Sequence, residues 1–178
     1  MAPQSRLSTL LAVIALFLLS AAAFAADSAV PQRSEIDDQH KWRVEDVFAS
    51  DQAWENAFAG LQKAVGMFEP YRGRLGKSAA VLLECFAKKD SIELIADNLY
   101  VYAYLKLDED NRVSKYQEMG GRIGQLWSKL SEGMAFIQPE IIAVGEKKIM
   151  TFVDATPALG PYRHTLRDLF RQQQHILS

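Results

Sequence analysis

An all-α bundle of about six or seven helices, preceded by an exported leader, is the fold this sequence predicts. Three observations lead there. Past residue 40 apolar residues recur at spacings of three and four, the period of a helix with one buried face. Proline and glycine interrupt that pattern at helix-length intervals. The one segment that could be a buried strand, Leu99–Leu105, finds no convincing partner strand elsewhere. Composition agrees with a packed domain: 49% of the 178 residues are apolar and 24% charged, enough to build a core. The formal net charge of −2 leaves no electrostatic footprint for nucleic acid. Cys85 stands alone, which excludes an intrachain disulfide framework and any multi-cysteine zinc site.

The N-terminus reads in three zones. Met1–Arg6 is short and basic, Leu7–Leu19 is mostly apolar, and Ser20–Ala26 is small-residue and holds Ala23-Phe24-Ala25 as an A-x-A cleavage site. Residues 1–25 are therefore expected to be a signal peptide cleaved after Ala25. The apolar zone is shorter than the ~20 residues of a bilayer span, so no stable membrane span is expected after cleavage. No cysteine follows it, so no lipid is attached there. Residues 26–41, with Pro31, read as a flexible mature N-terminus. The mature product is expected in the periplasm or outside the cell.

The first predicted helix runs from Asp51 to Glu69, its stripe formed by Trp54, Ala57, Phe58, Leu61, Ala64, Val65 and Phe68. Ser50 is its N-cap and Pro70 its stop. After the loop Tyr71–Gly76, Ser78 caps a short helix to about Lys88. Asp90 or Ser91 opens the next, where Asp90 and Glu93 resemble a capping box. Its second half, Leu99–Leu105, is apolar or aromatic all round and is expected at the centre of the bundle. A fourth long helix spans Ser114–Ile137 on a near-heptad stripe. Gly120, Gly121 and Gly124 interrupt it, marking either close packing or a kink. Pro139 starts a short helix to Val144, and Glu146–Val153 and Tyr162–Arg171 complete the set.

Candidate chemistry is sparse. His40, His164 and His175 never fall in an H-E-x-x-H arrangement, and Arg163, Arg167 and Arg171 surround His164, which repels a cation. Asp108-Glu109-Asp110 is the densest acidic cluster. An EF-hand loop starting there would need glycine where Val113 stands and a carboxylate where Met119 stands. The cluster reads as a solvated turn paired with Arg112, Lys106 or Lys115. A small hydrolase using Asp108 and Asp110 would have no supporting groups. Tyr100, Tyr102 and Tyr104 could line a peptide or sugar groove with Trp127 and Trp54, although aromatics at this spacing usually build core. Cys85, amid Leu82, Leu83 and Phe86, reads as buried and inert. No G-x-S-x-G nucleophile or phosphate-binding glycine loop occurs.

Four segments in a fixed order carry a resemblance. Trp42-Arg43-Val44-Glu45-Asp46-Val47-Phe48, followed by Ser50 and Trp54, resembles the start of oligoendopeptidase F and its relatives in the M3 family of zinc peptidases. Leu99–Asp110, Pro139-Glu140-Ile141, and Pro161-Tyr162-Arg163-His164 through Arg171 to His175-Ile176-Leu177-Ser178 continue it, so the likeness spans residues 42–178. The resemblance implies that residues 42–178 are the family's helical N-terminal domain. A larger catalytic domain would follow, where H-E-x-x-H and a later glutamate hold zinc and the first glutamate activates water. It implies cleavage of short peptides in a channel whose wall this domain helps to form. No zinc ligand has a counterpart here. No catalytic, cofactor-binding or metal residue is therefore expected in this chain, which should be inactive alone. The expectation is a fragment, split gene product or truncated copy, with a separately encoded catalytic domain as partner and oligopeptides as substrates of the whole. The leader departs from the cytoplasmic look of many relatives and suggests an exported branch. The alternative is a stand-alone periplasmic helical binding or interaction module derived from that domain.

Overall fold

The computed structural model describes Pro31 and residues 33–173; the predicted leader and His175 lie outside the described residues. The chain divides into two units, Met1–Lys41 and Trp42–Ser178. In the first, two 3-10 turns occupy Arg33–Glu35 and Asp38–His40. Asp37 caps the second turn by accepting the Gln39 N–H at 2.9 Å, and Lys41 pairs with Asp38 at 2.8 Å.

The second unit is all-α: six α-helices and three 3-10 segments, with no strand among the described residues. Helix α1 is Asp51–Gln62, α2 Ala79–Glu109, α3 Ser114–Met134, α4 Ile137–Val144, α5 Glu146–Ala155 and α6 Arg163–Gln172. Ser50 caps α1 as its sequence position predicts, accepting the Ala53 N–H, and Ser78 caps α2 through the Val81 N–H. Helices α2 and α3, joined by the short Asp110–Val113 connection, pack along each other, and α1 lies across α2. The core gathers Trp54, Phe58 and Leu61 of α1, Leu82, Leu99 and Tyr102 of α2, and Met119, Ile123 and Leu130 of α3.

Three boundaries and one placement differ from the sequence expectation. Helix α1 stops at Gln62, not Glu69. Beyond it the backbone winds in tighter three-residue turns, and Gly66 adopts a left-handed φ of 85°. Ala64 and Phe68 still reach the core, while Val65 becomes exposed. The two helices expected either side of Lys89 are one helix of 31 residues. Ser91 does not cap: its hydroxyl donates to the Ala87 carbonyl at 2.8 Å, as mid-helix serines do. Lys89 and Glu93 pair one turn apart, and Asp90 accepts the Tyr162 hydroxyl, so these polar residues brace the helix where a break was expected. Helix α3 ends at Met134, and Ile137 opens α4. Pro139 lies in the first turn of α4, where its missing N–H costs nothing. Finally, Leu99–Leu105 does not sit at the bundle's centre. Leu99, Tyr102 and Ala103 are buried, whereas Tyr100, Val101 and Tyr104 face outward.

Two polar clamps hold the frame. At one end, the Trp54 indole N–H donates to the Leu99 carbonyl at 2.8 Å, and Arg122 of α3 grips Glu55 of α1 through two 2.7 Å bonds. The Arg122 guanidinium also lies 4.5 Å from the centre of the Phe58 ring. At the other end, Glu140 of α4 accepts the backbone N–H groups of Gly73 and Leu75, both at 2.7 Å. That contact gives the Pro139-Glu140-Ile141 segment a structural role: its carboxylate fixes the Tyr71–Gly76 loop.

Candidate functional site

One concavity combines aromatic faces with an uncommitted charge, and α2 and α3 build it. Asp97, Tyr100, Tyr104 and Asp108 are spaced three and four apart and so follow one stripe of α2. Across from them α3 offers Gly120, Gly124 and Trp127. The groove between, of about 260 Å³, is lined by Ala96, Asp97, Tyr100, Ile123, Gly124 and Trp127. Tyr100 and Tyr104 stack with ring centres 4.1 Å apart and planes 22° apart. Both stay more than a third exposed, at 47% and 37%. The Tyr104 hydroxyl beside Tyr100 pushes the Tyr100 pKa up, and the Asp108 charge adds to the effect. Gly124 leaves open space where a side chain would stand, and a Cβ at Gly120 would meet the Tyr104 ring at 3.4 Å. Of the two roles open to the glycines of α3, Gly120 serves close packing, and α3 continues through all three as one helix.

The aromatic residues singled out in the sequence thus divide by face. Trp54 and Tyr102 are core: Trp54 stacks on Phe58 at 5.0 Å, and the Tyr102 hydroxyl donates to Asp51 at 2.7 Å. Burial and the Asp51 carboxylate together push the Tyr102 pKa far up. Tyr100 and Trp127 line the groove, and Tyr104 stacks on Tyr100 beside it. Asp97 escaped the sequence reading, although a signal existed: a carboxylate one turn before an aromatic pair, opposite glycines.

A larger concavity of about 620 Å³ lies where α6 meets α2 and α4, with Phe86, Ile137, Ile141 and Leu166 as its apolar floor. The charged groups of its rim are paired. His164 Nε2 lies 3.3 Å from Asp168, which also pairs with Arg171 at 3.0 Å. Tyr162 donates to Asp90, and that bond, with burial, pushes the Tyr162 pKa up to about 12.

The remaining sequence candidates among the described residues line neither concavity. Asp110 accepts two bonds from the Arg112 guanidinium and one from its backbone N–H, which holds its pKa at about 2. A carboxylate held that low is no proton donor for a paired-acid mechanism. Glu109 lies 3.6 Å from Lys106, whereas Lys115, expected near this cluster, reaches Asp51 at 2.6 Å instead. Cys85 is fully buried, and desolvation raises its thiol pKa to about 11. His40 lies in an exposed 3-10 turn of the first unit. Among the described residues no group of three or more His, Cys, Asp or Glu side chains is arranged to hold a metal ion. These residues therefore do not fit a zinc centre. No helix among them is long and apolar enough to cross a membrane.

Known proteins match both the sequence and this architecture. The family model described as Oligopeptidase F matches residues 140–178. Oligopeptidase PepF of Bacillus subtilis is 31% identical over 149 residues, covering 84% of this chain and 22% of that protein. Group B oligopeptidase PepB of Streptococcus agalactiae is 32% identical over 146 residues, covering 82% of this chain and 24% of its own length. The crystal structure of oligoendopeptidase-F from Enterococcus faecium superposes with a TM-score of 0.65 at 29% identity, over 72% of this chain and 26% of that one. A crystal structure from Chlamydophila abortus gives 0.72 at 25% identity, over 84% and 25%. The chain spans about a quarter of the length of the relatives it matches. It belongs to the oligoendopeptidase F family of M3 peptidases, as that family's helical N-terminal domain.

Proposed function

We propose that the chain forms part of the peptide-handling wall of an exported oligoendopeptidase F-like peptidase. It would contribute no catalytic group itself and would act beside a zinc-bearing catalytic portion. The observation that carries this reading is the outward face of α2. Leu94, Tyr100, Val101 and Tyr104 are all more than a third exposed along one side of the helix, although water-facing helix surfaces are normally polar. A face rich in aromatic and aliphatic groups suits a surface along which an extended peptide passes. The names of the Bacillus subtilis, Streptococcus agalactiae and Enterococcus faecium relatives, two oligopeptidases and an oligoendopeptidase, support the substrate class.

The test is complementation. The mature chain is mixed with the catalytic portion of the Bacillus subtilis relative, made without its own matching segment, and assayed with zinc on a fluorescence-quenched oligopeptide. Restored hydrolysis in the mixture alone supports the reading. Zinc-dependent hydrolysis by this chain without its partner overturns it. Export has a separate test: the product recovered outside the cytoplasm should begin at Ala26, and a cytoplasmic product retaining Met1 overturns that part.

A further inference from the structure

We propose that the groove between α2 and α3 is a subsite for the guanidinium of an arginine side chain carried by an extended peptide. This deepens the peptide-handling reading and rests on it. The observation is one of charge left over. Nearby cations are committed elsewhere: Lys89 to Glu93, Lys106 to Glu45 and Glu109, Lys115 to Asp51, and Arg122 to Glu55. Asp97 and Asp108 are exposed and form no hydrogen bond or ion pair with another described residue. They stand at the two ends of the stripe whose middle is the Tyr100–Tyr104 stack. On the α3 side the groove presents Gly124 and Trp127, which carry no charge.

Negative ring faces and an unneutralised carboxylate make a site that favours a cation over a neutral or anionic group. A volume of about 260 Å³ admits one long side chain and excludes a folded partner. The geometry favours arginine over lysine. A planar guanidinium stacks on Trp127 or Tyr100 while its edge donates to the Asp97 carboxylate, and an ammonium lacks the flat face for this. The open space at Gly124 lets the peptide backbone approach α3 closely. Selection would thus act on the position of arginine along a peptide, upstream of any bond cleavage.

The test uses the mature chain and three blocked pentapeptides: Ala-Ala-Arg-Ala-Ala, the same with citrulline, and the same with lysine. Binding is followed by tryptophan fluorescence and by calorimetry. The expected result is saturable quenching by the arginine peptide, with the neutral, near-isosteric citrulline peptide at least tenfold weaker and lysine between. Asp97→Asn, an exposed and fold-neutral change, should weaken arginine binding about fivefold, and Trp127→Leu should remove the quenching. Equal affinity for arginine and citrulline, an Asp97→Asn variant that binds normally, or quenching that survives in a folded Trp127→Leu variant would each overturn the site. Should Trp127→Leu not fold, Asp97→Asn and the citrulline peptide decide alone. Complementation that succeeds without arginine discrimination sinks this subsite and leaves the peptide-handling reading. Arginine-selective binding with failed complementation keeps the peptide-binding surface and overturns its partnership with a separate catalytic portion.

Discussion

Replacing Asp51 with alanine should cost the domain about 2–4 kcal/mol. This carboxylate stands in the first turn of α1, where the helix dipole favours negative charge by about 0.3–1 kcal/mol. It accepts the hydroxyl of the buried Tyr102 at 2.7 Å, a bond to a charged group that is worth about 1.5–3 kcal/mol and leaves an unpaired hydroxyl when broken. Lys115 reaches it at 2.6 Å from a half-exposed position, adding at most about 1 kcal/mol. Asp51→Asn keeps the shape and an acceptor for Tyr102 but loses the charge, so it should cost about half as much. The pH dependence follows from the sign of the shift. Burial opposes ionisation, but the hydrogen bonds from Lys115 and Tyr102 outweigh it and hold the folded pKa below 3.8. The stabilisation is therefore complete above about pH 4 and is lost as pH falls through the folded value. Urea unfolding of wild type, Asp51→Asn and Asp51→Ala, each with and without Tyr102→Phe, would measure both effects. A gap between wild type and Asp51→Asn that persists unchanged at pH 2.5 would refute the reasoning. So would a Tyr102→Phe cost that is the same in the wild-type and Asp51→Ala backgrounds.

Three further outcomes are expected. Gly76→Ala should destabilise by about 1–3 kcal/mol, because its Cβ would sit 2.6 Å from a Val144 methyl, whereas Gly60→Ala, in open space on α1, should stabilise by up to about 1 kcal/mol; thermal melts compare them directly. Glu140→Gln leaves one acceptor for two backbone N–H groups and should loosen the Tyr71–Gly76 loop, so trypsin should cut at Arg72 or Arg74 faster than in wild type. Cys85, with its pKa raised to about 11 by burial, should resist a thiol reagent at pH 8 until urea is added; prompt labelling of the native protein would contradict its placement in the core.

Much of the frame was legible because it depends on short-range signals. Ser50 and Ser78 read as caps, and both accept the N–H three residues on. Gly145, at φ 91°, separates α4 from α5 where the sequence placed a break. The misjudged places are those where a long-range contact decides. Asp90 and Ser91 carry the composition of a helix start, but Tyr162, seventy-two residues on, takes Asp90 as its acceptor, and the helix runs through. The aromatic groove was half legible for the same reason. The spacing of Tyr100 and Tyr104 shows one stripe, but only the packing of α3 decides which side of α2 stays open.

The apolar run Leu99–Leu105 shows why periodicity alone could not place that side. Tyr100 and Tyr102 lie two residues apart, hence on nearly opposite sides of the helix. Tyr102, with Leu99 and Ala103, meets the core and ties α1 down through Asp51. Tyr100, Val101 and Tyr104 remain outside. A helix that is apolar on both sides is normally buried on both; here only one side has a core to enter. Stability accounts for the inner residues but not for the outer ones, since a stacked, exposed tyrosine pair contributes only about 0.5–1.5 kcal/mol, and polar residues there would serve solubility better. The proposed binding surface would use the aromatic faces of this outer set, beside the unneutralised Asp97 carboxylate and opposite Gly124, which keeps the floor open. Under the peptide-handling reading proposed above, the run would meet two demands, packing through Leu99, Tyr102 and Ala103 and contact with a peptide through Tyr100, Val101 and Tyr104.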